Sequence, residues 1–284
     1  MNPPRMISPR PARVLGGLCA LALLWLGSPA AFAQGRLEAH YEATLAGIPV
    51  GRGVWNIDIS DDNFSAAASG GTSGLLKAFS GGSGTGASQG RVVGGALLPT
   101  NYNATTVTSK KSEAIHLVLV NGNVKEFGIE PEPPVDADRI VVTEAHRRGI
   151  LDPMTGSMLR VPGTAEVMNP DSCRTGAGIF DGRLRYDLKL DFKRMEVVKA
   201  EKGYHGQALV CAVYFTPVAG YIPDRPIIKY LAAQRNIEIA FVPIAGTRVL
   251  APFRMTIPTP FGQAMLEATQ FVTSATPPRV AKTQ

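Results

Sequence analysis

Apolar residues recur at every second position in several separate stretches of this chain, as expected for strands with one face buried and one in water. The first such stretch is Leu37, Ala39, Tyr41, Ala43 and Leu45, with Glu38, His40, Glu42 and Thr44 between them. Gly47 to Gly51 is expected to turn the chain, and Trp55, Ile57 and Ile59 then continue the alternation to a polar tip at Asp61-Asp62-Asn63. Ile115 to Val120 runs into Asn121-Gly122, a strong short-range hairpin signal because both residues tolerate positive φ, and Asn123 to Phe127 is the returning arm. Ile237 to Val242, Arg254 to Ile257 and Met265 to Phe271 alternate again. Pro258 and Pro260 separate the last two.

The most regular alternation lies inside the unit from Cys173 to Phe215. Leu184, Tyr186, Leu188, Leu190 and Phe192 fall on one side of the period, and Arg183, Arg185, Asp187, Lys189 and Asp191 on the other. Asp181-Gly182 is placed to turn this strand back on Ala177 to Phe180. Together these patterns predict an all-β chain whose antiparallel sheet curves into an open β-barrel, with one or two short helices.

Two helices are expected. Thr72 or Ser73 is a cap for a turn carrying Leu75, Leu76 and Phe79 at three- and four-residue spacing. Asp152-Pro153 offers a cap followed by proline at the first helical position, ahead of Met154, Met158 and Leu159. That helix reads as core packing, with the alternative that its methionines line an adaptable apolar groove. The glycine-rich Ser80 to Gly86 lacks the Gly-Lys-Ser/Thr ending of a phosphate-cradling loop and reads as a flexible turn. Glu130 to Pro134 is expected to be an exposed, extended connection.

Residues 1–33 have the form of a secretory leader. Arg5, Arg10 and Arg13 precede the apolar run Val14 to Gly27, and Ala31-Phe32-Ala33 is a small-x-small cleavage site. Leu18 before Cys19 does not fit a lipid-attachment motif, so no transmembrane or lipid anchor is expected after cleavage. Residues 34–273 are then one β-rich domain and residues 274–284 a loose tail. Half of the formal net charge of +6 belongs to the leader arginines, and the remaining basic residues form no long cluster with aromatics, so nucleic acid is not an expected partner. Two cysteines, Cys173 and Cys211, remain in an oxidising compartment and are expected to pair.

Catalytic chemistry is not expected. His40, His116, His146 and His205 are scattered, with no second histidine at metal-ligand spacing, so neither a metal nor a cofactor is predicted. Glu144-Ala145-His146 near Asp152 is the one acid and imidazole grouping, and it reads as an ordinary polar loop. Arg183 and Arg185 suit anionic groups chemically, but beside Asp187 and Asp191 on an outward face they read as cross-strand partners.

Several segments in order resemble the family called domain of unknown function 3108. They are Tyr41 to Gly53, the Gly90 to Tyr102 stretch with Leu98-Pro99 and Tyr102, Leu151-Asp152-Pro153, the Phe180 to Tyr186 hairpin, and Ile237 to Phe271. The resemblance covers nearly the whole chain beyond the leader. It implies a secreted envelope protein of Gram-negative-type bacteria with no assigned activity, broadly similar to the open barrels of lipoprotein carriers that hold acyl chains. The expectation is therefore a non-catalytic periplasmic protein binding lipid or another apolar ligand in a curved-sheet groove. Leu75, Leu76, Phe79, Met154, Met158 and Leu159 are the candidate ligand-binding residues. The alternative is an interaction scaffold with a fully packed interior and an envelope protein as partner.

Overall fold

The computed structural model describes residues 34–74, 81–134 and 136–275. Sixteen strands join one sheet, and fourteen of them form a continuous path in the order β7-β6-β5-β4-β3-β2-β1-β16-β15-β14-β13-β11-β10-β8. Strands β1 (Gly35–Leu45), β2 (Ile48–Ile59), β3 (Asn63–Thr72), β4 (Gly82–Val93), β5 (Ala96–Thr108), β6 (Ser112–Val120) and β7 (Asn123–Glu130) form an uninterrupted antiparallel meander. The later strands are β8 (Ile150–Leu151), β9 (Leu159–Arg160), β10 (Gly176–Phe180), β11 (Arg185–Lys199), β12 (Lys202–Gly203) and β13 (His205–Ala219). They are followed by β14 (Ile237–Pro243), β15 (Val249–Thr259) and β16 (Gly262–Ala275). β1 pairs with β16, which joins the meander to the strands of the second half of the chain.

A sheet this long curls, and its two ends meet. No strand ladder joins β7 to β8 or β10. Instead Ile150 N donates to Gly122 O at 2.9 Å, the Phe127 and Phe180 rings pack edge to face with centroids 5.7 Å apart, and Arg183 binds Glu113 at 2.7 Å. Tyr102, Leu117, Leu119, Ile150 and Phe180 fill this seam as a cluster of their own. The barrel is closed there by one backbone hydrogen bond and by side-chain packing rather than by a strand ladder.

The expected hairpins form. Asn121 and Gly122 adopt φ of 50° and 74° between β6 and β7, as the mirror-image turn requires. Between β10 and β11 only Gly182 is left-handed, at φ 97°, and the Asp181 carboxylate accepts from the Arg183 and Leu184 amides. The first turn is tighter than expected. Ala46 and Gly47 supply the positive φ, so Ile48 to Gly51 belong to β2.

Three other expectations are corrected. The glycine-rich stretch is not a flexible turn: Gly82 onward is β4, hydrogen-bonded to β3 and β5 on its two sides. Its burial alternates, with Gly82, Gly84, Gly86, Ser88 and Gly90 the less exposed set, so the strand period is present but carried by side chains too small to register as apolar. Phe192 does not join the buried face of β11, being 36% exposed, because the register slips between Phe192 and Arg194. The second predicted helix is one turn long: helix α1 is Pro153–Gly156, and Leu159 already belongs to β9. A further helix, α2 (Pro226–Ala233), links β13 to β14.

Of the first predicted helix, Thr72 closes β3, while Leu75, Leu76 and Phe79 lie outside the described residues. β16 extends to Ala275, two residues into the expected tail, and the remainder of that tail lies outside the described residues.

The Cys173–Cys211 disulfide is present and sits in a core cluster with Leu159, Val161, Leu209, Phe241 and Leu250. Its cysteines are 38 residues apart, a loop whose closure stabilises the fold by roughly 4 kcal/mol in the chain-entropy model. The larger core cluster runs through β1, β2, β3, β13, β14, β15 and β16 and includes Leu37, Ile57, Phe64, Val242, Phe253 and Phe271.

Candidate functional site

Antiparallel pairing sets the inward residues of β2, β3, β4 and β5 in rows across the sheet. One row is Ile57, Ala66, Ser88 and Tyr102; the next is Trp55, Ala68, Gly86 and Ala104; the third is Gly53, Gly70, Gly84 and Thr106. Side-chain volume falls steeply from row to row. Where three glycines stand abreast, nothing grows inward from those strands to fill the space.

A cleft of about 390 Å³ opens at this transition, at the small end of the range typical of ligand pockets. Its walls are Trp55, Ala68 and Tyr102 on one side and Ile239, Met255 and Leu266 on the other. Tyr41 on β1 spans between them, its hydroxyl donating to the Pro252 carbonyl of β15 at 2.7 Å. No charged residue is among the described residues that line the cleft. A wider and more polar hollow of about 1150 Å³ continues over the glycine row and shares Tyr41, Gly53, Val54 and Ser69 with it.

Helix α1 covers part of the cleft, and its position follows from Asp152. This N-cap residue is fully buried, and its Oδ1 accepts from the Met154 and Thr155 amides at 2.9 and 3.0 Å. Its Oδ2 accepts from Thr155 Oγ1 at 2.6 Å and from Ser88 Oγ at 2.9 Å. Ser88 belongs to β4, so the cap also pins the helix to the sheet. Gly86, one turn of the pleat away, leaves room for the helix: a methyl group there would stand 3.2 Å from Met154 Cε. Burial holds the Asp152 carboxyl above its ordinary range despite these four donors.

Tyr102 faces Ser88 across the β4–β5 ladder. Burial, then the nearby Asp152 and Asp181 carboxylates, push its phenol up to about 12, so it stays a neutral hydrogen-bond donor throughout the physiological range. Burial likewise raises the neighbouring Tyr186 phenol and the Asp181 carboxyl.

Among the predicted ligand-binding residues, Met154 lines the cleft. Met158 and Leu159 do not: Met158 is in the larger core cluster at 6% exposure, and Leu159 packs around the disulfide. The one-turn helix separates the two methionines, which a longer helix would have placed on one face. The residues that sequence reasoning missed are Tyr41, Trp55, Ala68, Tyr102, Met255 and Leu266. The first two, with Met255 and Leu266, were visible as inward positions of alternating strands, but alternation does not tell a filled interior from a hollow one.

The remaining candidates are engaged locally. Arg183 binds Glu113, and Arg185 binds Asp187 at 2.6 Å. His146 Nδ1 accepts from the Thr143 amide at 3.1 Å, while Glu144 pairs with Arg147. No cluster of three metal-ligating side chains occurs among the described residues. No helix among them is long and apolar enough to cross a membrane, which says nothing about crossing by strands.

Fold and cleft together define a barrel-like, mostly antiparallel β protein with an apolar hollow at one end of a packed interior. Its residues 40–269 match the model of a family described as protein of unknown function DUF3108, and the chain belongs to that family. The search among curated proteins found no match. Among solved structures the chain is similar to the crystal structure of a beta-barrel-like protein of domain of unknown function DUF1849 from Brucella abortus. That likeness has a TM-score of 0.45 at 11% identity, covering 86% of this chain and 99% of the other.

Proposed function

We propose that this protein is a non-catalytic envelope protein that holds a lipid acyl chain or another apolar ligand in the cleft beneath α1, and that it works in the periplasm. The observation that carries the reading is the cleft itself: a concave, uncharged cavity at the step from bulky to glycine rows, capped by a methionine. An acyl chain placed there gains about 0.8 kcal/mol for each methylene taken from water. The intramolecular disulfide supports a location outside the cytoplasm. The local engagement of His146 supports a structural rather than a catalytic role for the one acid and imidazole grouping.

Mass spectrometry of organic extracts from the purified protein is expected to show co-purified lipid. Ala68→Phe, which puts a ring into the cleft, is expected to remove it while leaving the fold intact by circular dichroism. Equal lipid content in the two proteins would refute the cleft as the binding site.

A further inference from the structure

The cleft has a donor to offer and no cation. Tyr41, Tyr102 and Trp55 are its three lining residues that are at least nine-tenths buried and end in a donor. Tyr41 is already bonded to Pro252. The Tyr102 hydroxyl has no hydrogen-bond partner among the described residues, and the Trp55 indole N–H is buried without one. The unpartnered Trp55 N–H is a buried donor left at a cost, and the Tyr102 hydroxyl, bonded to no described residue, is free to donate to a ligand oxygen.

The charge around Tyr102 decides which oxygen. Ser88, its cross-strand neighbour, carries the buried Asp152 carboxylate, and Asp181 lies close enough to act on the same phenol. Arg183 pairs with Glu113 on β6 and its charge also offsets Asp181, so the uncompensated negative charge beside Tyr102 is chiefly that of Asp152. A carboxylate or phosphate beside Tyr102 would therefore add a second anion next to the Asp152 that Ser88 holds across the ladder, with no described cation lining the cleft to offset it. A neutral acceptor meets no such penalty.

Building on the apolar-ligand reading, we infer that the cleft selects an uncharged acyl ester, whose carbonyl oxygen accepts from the Tyr102 hydroxyl while its chain lies along Trp55, Ala68, Met154 and Leu266. Tyr102 sets the headgroup and the apolar wall supplies affinity. Discrimination against the matching carboxylate follows from desolvation and from Asp152, not from size.

Methyl dodecanoate, dodecanoate and dodecane can be titrated into the full chain at pH 8, below their aggregation limits, with Trp55 emission as the signal. Trp25 lies in the leader expected to be removed, so protein purified after that cleavage reports through Trp55, and Trp55→Phe defines the residual signal. The ester is expected to bind at least about tenfold more tightly than the carboxylate. Tyr102→Phe is expected to weaken the ester about fivefold, the loss of one neutral hydrogen bond, and to leave dodecane unchanged. Equal or tighter carboxylate binding, or an ester affinity indifferent to Tyr102→Phe, overturns the headgroup assignment but leaves the apolar cleft standing. If none of the three ligands binds, the cleft reading falls with it.

Discussion

Two parts of one barrel interior, built on the same strands, have opposite fillings. Around Ile57, Ile59 and Phe64, and onward through Phe253 and Phe271, the core is densely packed, with Ile57 and Phe271 fully buried. Two rows away, Gly53, Gly70 and Gly84 leave a hollow. Backbone pairing continues without interruption across both. Hydrogen bonding therefore maintains the sheet where packing is absent, and packing stabilises it where side chains are large. Among the described residues, one end of the barrel is left open while the other is solid.

The largest effect that would break this contrast lies in the solid part. Phe253→Ala removes a ring that touches Phe271 and Tyr204, and it is expected to cost about 3–5 kcal/mol in urea unfolding. A loss under about 1 kcal/mol would mean that this half is not the stabilising one.

A smaller effect tests the polar joint between helix and sheet. Burial raises the Asp152 carboxyl, so the folded chain keeps that proton at pH values where the unfolded chain has lost it. Its contribution to stability therefore falls as pH rises from the ordinary carboxylate range through the raised value. Asp152→Asn keeps an acceptor for the α1 amides and removes the titration. Unfolding of both proteins between pH 4 and pH 8 should show the wild type losing ground to the variant as pH rises; a constant difference would contradict the burial of a titrating acid there.

The smallest effect belongs to the hollow. Ala68→Phe adds a ring facing open space, and its stability is expected to stay within about 1 kcal/mol of wild type by the same urea titration. A cost of several kcal/mol would show that the cleft is too tight to admit a ring.

How much of this was legible in the sequence follows the same division. β1, β6, β7, β14 and β16 were readable because bulky residues alternate along them. The β10–β11 hairpin and the disulfide were readable from Asp181-Gly182 and from the cysteine count. β3 and β4 were not, since their inward positions are Ala66, Ala68, Gly84, Gly86 and Ser88, which carry the right period in volume but almost none in hydrophobicity. The helix at Asp152 was found by its cap and misjudged in length, because the capping chemistry of Asp152 and Pro153 fixes where a helix begins and not where it stops. α2 went unseen although Pro226 marks its first turn and Ile227, Ile228 and Leu231 follow at helical spacing. The cleft was the least legible feature, since its walls come from strands that are distant in sequence and meet only when the sheet curls.

The drop on β2, β3 and β4 from the Trp55, Ala68 and Gly86 row to the Gly53, Gly70 and Gly84 row gives the hollow an abrupt edge. A methyl group added at Gly86 would press on Met154 Cε at 3.2 Å, and one added at Gly53, Gly70 or Gly84 would meet a neighbouring strand's carbonyl oxygen at 3.0, 3.0 or 3.2 Å, so these glycines also allow the close approach of backbone. The size of the hollow is therefore tied to the sheet itself: a side chain at Gly53, Gly70 or Gly84 would have to move neighbouring strands before it could fill the space.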